Sequence, residues 1–150
     1  MVKTLGYMVT WTTYGTWLQG DERGYVKKGK VLGANRSLRK VNVANQAGKT
    51  VKLTRQEQEI VRKAIENEAA RLRRKIYSMA ICCNHVHVIL NYTGEPIELF
   101  VGRCKNSARI ALRANGFSGR VWTRGYDKRY CFDEKSLNDR IDYVRRHNSQ

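Results

Sequence analysis

The chain has 150 residues, 41% of them hydrophobic and 9% aromatic, a globular composition that excludes a disordered or fibrous protein. Its 29 Lys and Arg against 13 Asp and Glu leave a formal charge of +16, the electrostatic footprint of a polyanion binder. No run approaches the roughly 18 apolar residues of a spanning helix and the N-terminus has no secretory pattern, so one cytoplasmic domain over 1–150, without membrane association, is expected.

In chain order, Leu5 to Trp17 is rich in Val, Thr, Tyr and Trp and predicts a strand inside a sheet. Leu18 to about Val51 breaks into Gly, Asn, Lys and Arg and reads as a long basic loop or insertion. A capping-box pattern, Thr54 with Glu57, opens a helix in which Val61, Ile65, Ala69, Leu72 and Ile76 recur at helical spacing. Ile76 to Tyr92 is too apolar and too rich in Ile and Val for a surface helix, and predicts a hairpin turning at Cys83 and Asn84. A second helix is expected from Pro96 to about Ala114, burying Leu99, Phe100, Cys104, Ala108, Ala111 and Leu112 and leaving Arg103, Lys105, Arg109 and Arg113 outward. Val121 to Phe132 alternates as a strand or hairpin bent at Gly125, and a last helix starts near Asp133 or Ser136 and runs to the end. The order predicts an α+β, ferredoxin-like (RRM-like) antiparallel sheet with helices on one face and an appended C-terminal helix.

Only three histidines occur, His85, His87 and His147, and this arrangement lets all three converge. Positions two apart on a strand share a face, so His85 and His87 present two imidazoles together while Val86, Val88 and Leu90 point into the helices. On the last helix Leu137, Ile141 and Val144 form an apolar stripe, with Tyr143 and His147 one above the other beside it. Two or three nitrogen ligands with open positions suit a metal that also holds a phosphate oxygen. Zinc on Cys82, Cys83, His85 and His87 is the rival reading, but four ligands within six consecutive positions of an extended strand do not form a tetrahedron easily. The four cysteines show no paired spacing, and reduced thiols are expected.

Three segments together carry a resemblance over most of the chain: Val9-Thr10-Trp11-Thr12-Thr13-Tyr14-Gly15-Thr16-Trp17-Leu18 with Gly20-Asp21-Glu22-Arg23-Gly24, then Asn84-His85-Val86-His87, then Ile141-Asp142-Tyr143-Val144. The sequence resembles the single-tyrosine transposases of the histidine-hydrophobic-histidine (HUH) endonuclease superfamily, in particular the REP-associated tyrosine transposases of bacteria. The resemblance implies a ferredoxin-like catalytic domain, a Mg²⁺ or Mn²⁺ cofactor, single-stranded DNA with hairpin structure as substrate, and a homodimer. It implies His85 and His87 as metal ligands and Tyr143 as the nucleophile that cleaves and rejoins DNA through a 5′-phosphotyrosine. The polar ligand four residues after the tyrosine falls on His147, where relatives often carry Gln or Asn. Such relatives commonly continue with Asn-Pro after this helix, whereas this sequence ends at Asn148-Ser149-Gln150.

Lys27, Lys28, Lys30 and Arg36, with Arg39 and Lys40, join Arg103, Lys105, Arg109 and Arg113 as candidates for the DNA backbone, and Trp11, Trp17 and Trp122 as stacking platforms. The bland counterparts are a solvated charged face and core tryptophans. Two other functions stay open at this point. One is a non-catalytic RRM-like nucleic-acid-binding module in which the histidines are incidental. The other is an immobile nuclease retained for housekeeping.

Overall fold

A computed structural model describes residues 3–16 and 50–147. Among the described residues seven elements follow one another: β1 (Gly6–Thr12), α1 (Arg55–Arg71), β2 (Ile76–Ile81), β3 (His85–Asn91), α2 (Ile97–Ala114), β4 (Asp127–Cys131) and α3 (Glu134–His147). The strands form one antiparallel sheet in the order β2-β3-β1-β4, the ferredoxin-like arrangement expected from the order of elements.

The alternation along β1 and β3 decides what each sheet face meets. Tyr7, Val9 and Trp11 share a face with Val86, Val88 and Leu90, and on it pack Val61 and Ile65 of α1 and Phe100 and Val101 of α2. The opposite face carries Met8, Ala80 and Ile89, covered by Val144, Leu137 and Ile141 of α3. The C-terminal helix therefore lies on the far side of the sheet from α1 and α2, the side toward which His85 and His87 project. Gly6 permits this approach, because a Cβ there would stand 2.8 Å from the Leu90 carbonyl oxygen and 3.3 Å from Leu137 Cδ1.

Local signals set the element ends. The capping box closes in both directions, the Glu57 amide donating to Thr54 Oγ1 at 3.1 Å and the Thr54 amide to Glu57 Oε1 at 2.9 Å. The Asp133 carboxylate accepts from the Ser136 amide at 2.6 Å and starts α3. The β2–β3 hairpin turns at Cys83 and Asn84, as expected, with the Cys82 amide donating to the His85 carbonyl at 2.9 Å.

Four expectations change. The first strand ends at Thr12, and Gly15, at φ +90°, turns the chain where a Cβ would strike Thr50 at 2.9 Å. Ile76 belongs to β2 rather than to the helix, because Arg73 at φ 55° ends α1 and redirects the backbone. Leu99 is 43% exposed, since the apolar stripe of α2 runs through Ile97, Phe100, Val101, Cys104, Ala108 and Leu112 and leaves it to one side; Ala111 is only partly buried. Val121 to Phe132 is neither one unbroken strand nor a hairpin: Trp122 makes an isolated bridge to Thr13, and β4 begins only at Asp127 and pairs with β1, after a bend at Gly125 where one was expected.

Candidate metal and nucleophile site

β3 opens with His85 and His87, both on the α3 face, and the last turn of α3 brings His147 over them. Ring centroids lie 4.8 Å apart for His85–His87, 5.4 Å for His85–His147 and 4.8 Å for His87–His147. Their nearest ligand nitrogens all fall within 4.8 Å of one another. Nitrogens sharing one cation at about 2.1 Å stand roughly 3.0–3.4 Å apart, so small ring rotations close the set around an ion. Neither Cys82 nor Cys83 joins this group, and all four cysteines are free thiols. The zinc reading that needed both cysteines is thus not the cluster the fold assembles.

Two hydrogen bonds orient the rings. Asn84 Oδ1 accepts from His85 Nδ1 at 2.8 Å, which leaves the His85 Nε2 lone pair for a metal. Thr10 Oγ1 contacts His87 Nδ1 at 2.8 Å, and a cation on His87 Nε2 requires that Nδ1–H donate to the hydroxyl. The register places Thr10 directly opposite His87 across β1 and β3. Burial, then the neighbouring imidazoles His85 and His147, push the His87 pKa down to about 3, and burial and His147 lower that of His85. Both rings are therefore neutral near pH 7, the form that ligates.

Tyr143 stands one helical turn before His147, with ring centroids 4.6 Å apart, and 5.8 Å from His87. It is 42% exposed, whereas its neighbour Val144 is fully buried and anchors the helix. The three histidines and the tyrosine expected to converge do so. The sequence names Thr10 and Asn84 only as motif and turn positions and gives no sign of their contacts with the imidazoles, that of Thr10 because it lies 77 positions from the ring it meets.

The expected DNA contacts divide. Arg103 and Arg113 are exposed on α2, and Arg109 is half-buried with its guanidinium donating to Asn106 Oδ1 at 2.9 Å. All three lie across the sheet from the histidines. Lys105 is not a free outward cation: its ammonium donates to the carbonyls of Thr123 at 3.0 Å and Gly125 at 2.7 Å, pinning the segment before β4. Burial, then Arg120, lowers its pKa to about 8. Trp11 and Trp122 are core residues at 0% and 7% exposure, packed edge to face at 6.1 Å, and offer no stacking platform. Lys27, Lys28, Lys30, Arg36, Arg39, Lys40 and Trp17 lie outside the described residues, as do residues 148–150.

No protein-family model and no curated protein matches the sequence. Among solved structures, a REP-associated tyrosine transposase bound to a REP hairpin is similar over 96% of this chain and 67% of its own, with a TM-score of 0.55 at 12% identity. A transposase-named protein from Deinococcus radiodurans R1 aligns over 98% of this chain and 93% of its own, with a TM-score of 0.48 at 16% identity. The first likeness, spanning nearly the whole chain, shows that this protein has the fold of a REP-associated tyrosine transposase.

Proposed function

We propose that this protein is a metal-dependent, single-tyrosine HUH transposase or endonuclease that cleaves and rejoins single-stranded DNA through a 5′-phosphotyrosine. The observation that carries the reading is the convergence of three imidazoles and an exposed tyrosine from two distant segments, β3 and α3. A purely structural histidine pair needs neither a third histidine nor an accessible phenol above it.

The donor set fits a divalent cation: three imidazoles whose nitrogens lie close together, two of the rings oriented by Asn84 and Thr10. A cation on His85, His87 and His147 would withdraw charge from a nonbridging oxygen of the scissile phosphate and stabilise the transition state. Three imidazoles favour Mn²⁺ over the harder Mg²⁺. Tyr143 supplies the nucleophile. Its oxygen forms a bond to phosphorus as the bond to the 3′-oxygen breaks, leaving a 5′-phosphotyrosine and, after protonation, a free 3′-hydroxyl. Attack by a second 3′-hydroxyl returns the phenol and reseals the strand. Because one phosphodiester replaces another, no external energy source is required.

Arg103, Arg109 and Arg113 would hold the DNA backbone where it passes over α2, with the basic segment that includes Lys27, Lys28, Lys30 and Arg36 adding charge. The competing reading, an RRM-like module that binds bases on its open sheet, loses support because α3 covers that face with Val144, Leu137 and Ile141. Homodimerisation rests on the resemblance, and sedimentation tests it. No helix among the described residues is long and apolar enough to cross a membrane.

The test is incubation of end-labelled single-stranded hairpin DNAs from the gene's own flanks with Mn²⁺ or Mg²⁺, followed by denaturing electrophoresis. A covalent protein–DNA band that is lost in Tyr143→Phe and under chelation is the expected result. DNA binding without any adduct, under either metal, would sink the enzymatic reading.

A further inference from the structure

At the end of the sheet remote from the histidines, four aromatic rings form a continuous row. Phe132 stacks on Tyr130 with centroids 5.8 Å apart and planes 15° from parallel. Tyr130 meets Tyr7 at 5.3 Å, and Tyr7 meets Tyr92 at 5.5 Å. Tyr7 is the buried centre of the row at 5% exposure, while Tyr92, Tyr130 and Phe132 are 47%, 41% and 50% exposed. Lys128, two residues before Tyr130, places its ammonium 5.5 Å from that ring's centroid.

The topology explains the row. β4 is an edge strand, and its register sets Tyr130 beside Tyr7 on the face that carries α1 and α2. Tyr92 follows the last residue of β3, and its amide reaches the Leu5 carbonyl at 3.4 Å. Burial of Tyr7 explains one ring of the four. It does not explain three neighbours that leave about half their surface in water at a sheet edge.

We infer that Tyr92, Tyr130 and Phe132 form an accessory site that stacks one or two unpaired nucleobases of a single-stranded nucleic acid. The inference rests on the transposase reading, naming where a strand is held away from the tyrosine. Size favours this occupant over a second copy of the chain. Three half-exposed aromatic side chains present roughly 300 Å², against about 800 Å² per partner in a stable protein interface. Charge agrees with it: the chain carries +16, and α2, whose first turn meets Lys128 through Glu98, lies on this face of the sheet. Lys128 is shared with Glu98 at 3.7 Å, so the local phosphate attraction is small and stacking dominates. His85 and Tyr92 are the two ends of an almost fully extended stretch, roughly 23 Å apart at about 3.3 Å per residue. A strand reaching both places must round the edge of the sheet.

The test uses fluorescein-labelled oligo(dT) and a backbone-matched abasic oligomer, with anisotropy read in chelator on the Tyr143→Phe protein, so that no strand cleavage intervenes. Removing both exposed rings of β4 and its end, in Tyr130→Ala/Phe132→Ala, should weaken oligo(dT) binding about five- to a hundredfold. The dependence of affinity on salt should stay the same, since no phosphate contact is removed. Abasic-oligomer binding should stay unchanged, and Tyr130→Trp/Phe132→Trp should bind oligo(dT) at least as tightly as the parent. Equal losses for both probes, or an unchanged affinity for oligo(dT), would overturn the assignment. So would a dimer in sedimentation that the alanine pair dissolves, which would make the row a self-association surface. These outcomes are independent of adduct formation, because a protein that forms no phosphotyrosine can still stack bases here, and the reverse holds too.

Discussion

The two faces of the sheet are built from the same strands to opposite ends. On the α1 and α2 face, β1 and β3 offer Tyr7, Val9, Trp11, Val86, Val88 and Leu90, and two helices bury them as the main core. On the α3 face the same strands offer Met8 and Ile89 to a much smaller apolar cluster, and at one end the apolar row gives way to Thr10, His85 and His87. One face is spent on stability, and the other holds polar groups at a cost in burial. Side chains that alternate along β3 thus separate structure from chemistry at single-residue resolution.

This contrast yields its sharpest test in paired substitutions. Phe100→Ala, which empties a site only 1% exposed on the first face, should cost about 3–5 kcal/mol in urea unfolding. Tyr143→Phe, 42% exposed on the second, should shift stability by less than about 0.5 kcal/mol while abolishing the DNA adduct. A large stability loss in Tyr143→Phe would break the comparison by making the tyrosine a packing residue. A smaller effect is expected from Thr10→Val, which keeps the shape but removes the partner of His87 Nδ1. Mn²⁺ affinity by titration calorimetry should fall about 10- to 100-fold, and Thr10→Ser should recover it. Unchanged affinity in the valine variant would reduce Thr10 to core packing.

The smallest effect is on pH dependence. His87 is neutral in the fold down to about pH 3, while an unfolded histidine takes up a proton below about 6.5. Between those values the unfolded chain binds more protons, so stability of the metal-free protein should fall as the pH drops from about 6.5 to 5, above the carboxylate range. His87→Asn should flatten that slope. An equally steep slope in the variant would assign the pH dependence to other groups.

Much of this was legible in the sequence, for identifiable reasons. The capping box at Thr54, the hairpin at Cys83 and Asn84 and the His85/His87 pair are local patterns, and all three appear where the spacing placed them. The Tyr143–His147 pair was equally local, being one helical turn. What failed depended on distant partners. Trp11 and Trp122 offer the same residue type whether they stack on a base or on each other, and only their contact 111 positions apart in sequence makes them core. Lys105 is a cation like Arg103 in sequence, and only the carbonyls of Thr123 and Gly125 distinguish them. Thr10 meets the His87 ring through the β1–β3 register, which no local pattern encodes.

The central claim is that the polar end of the second face is a metal site made of imidazoles. Pulsed electron paramagnetic resonance of the Mn²⁺ complex reads this directly through nitrogen-14 couplings to the electron spin. The account predicts imidazole nitrogen modulation in the wild-type complex, weakened in His147→Ala and lost when His85 and His87 are also replaced. A spectrum showing only water protons around the ion, at protein concentrations that saturate any site, would contradict it.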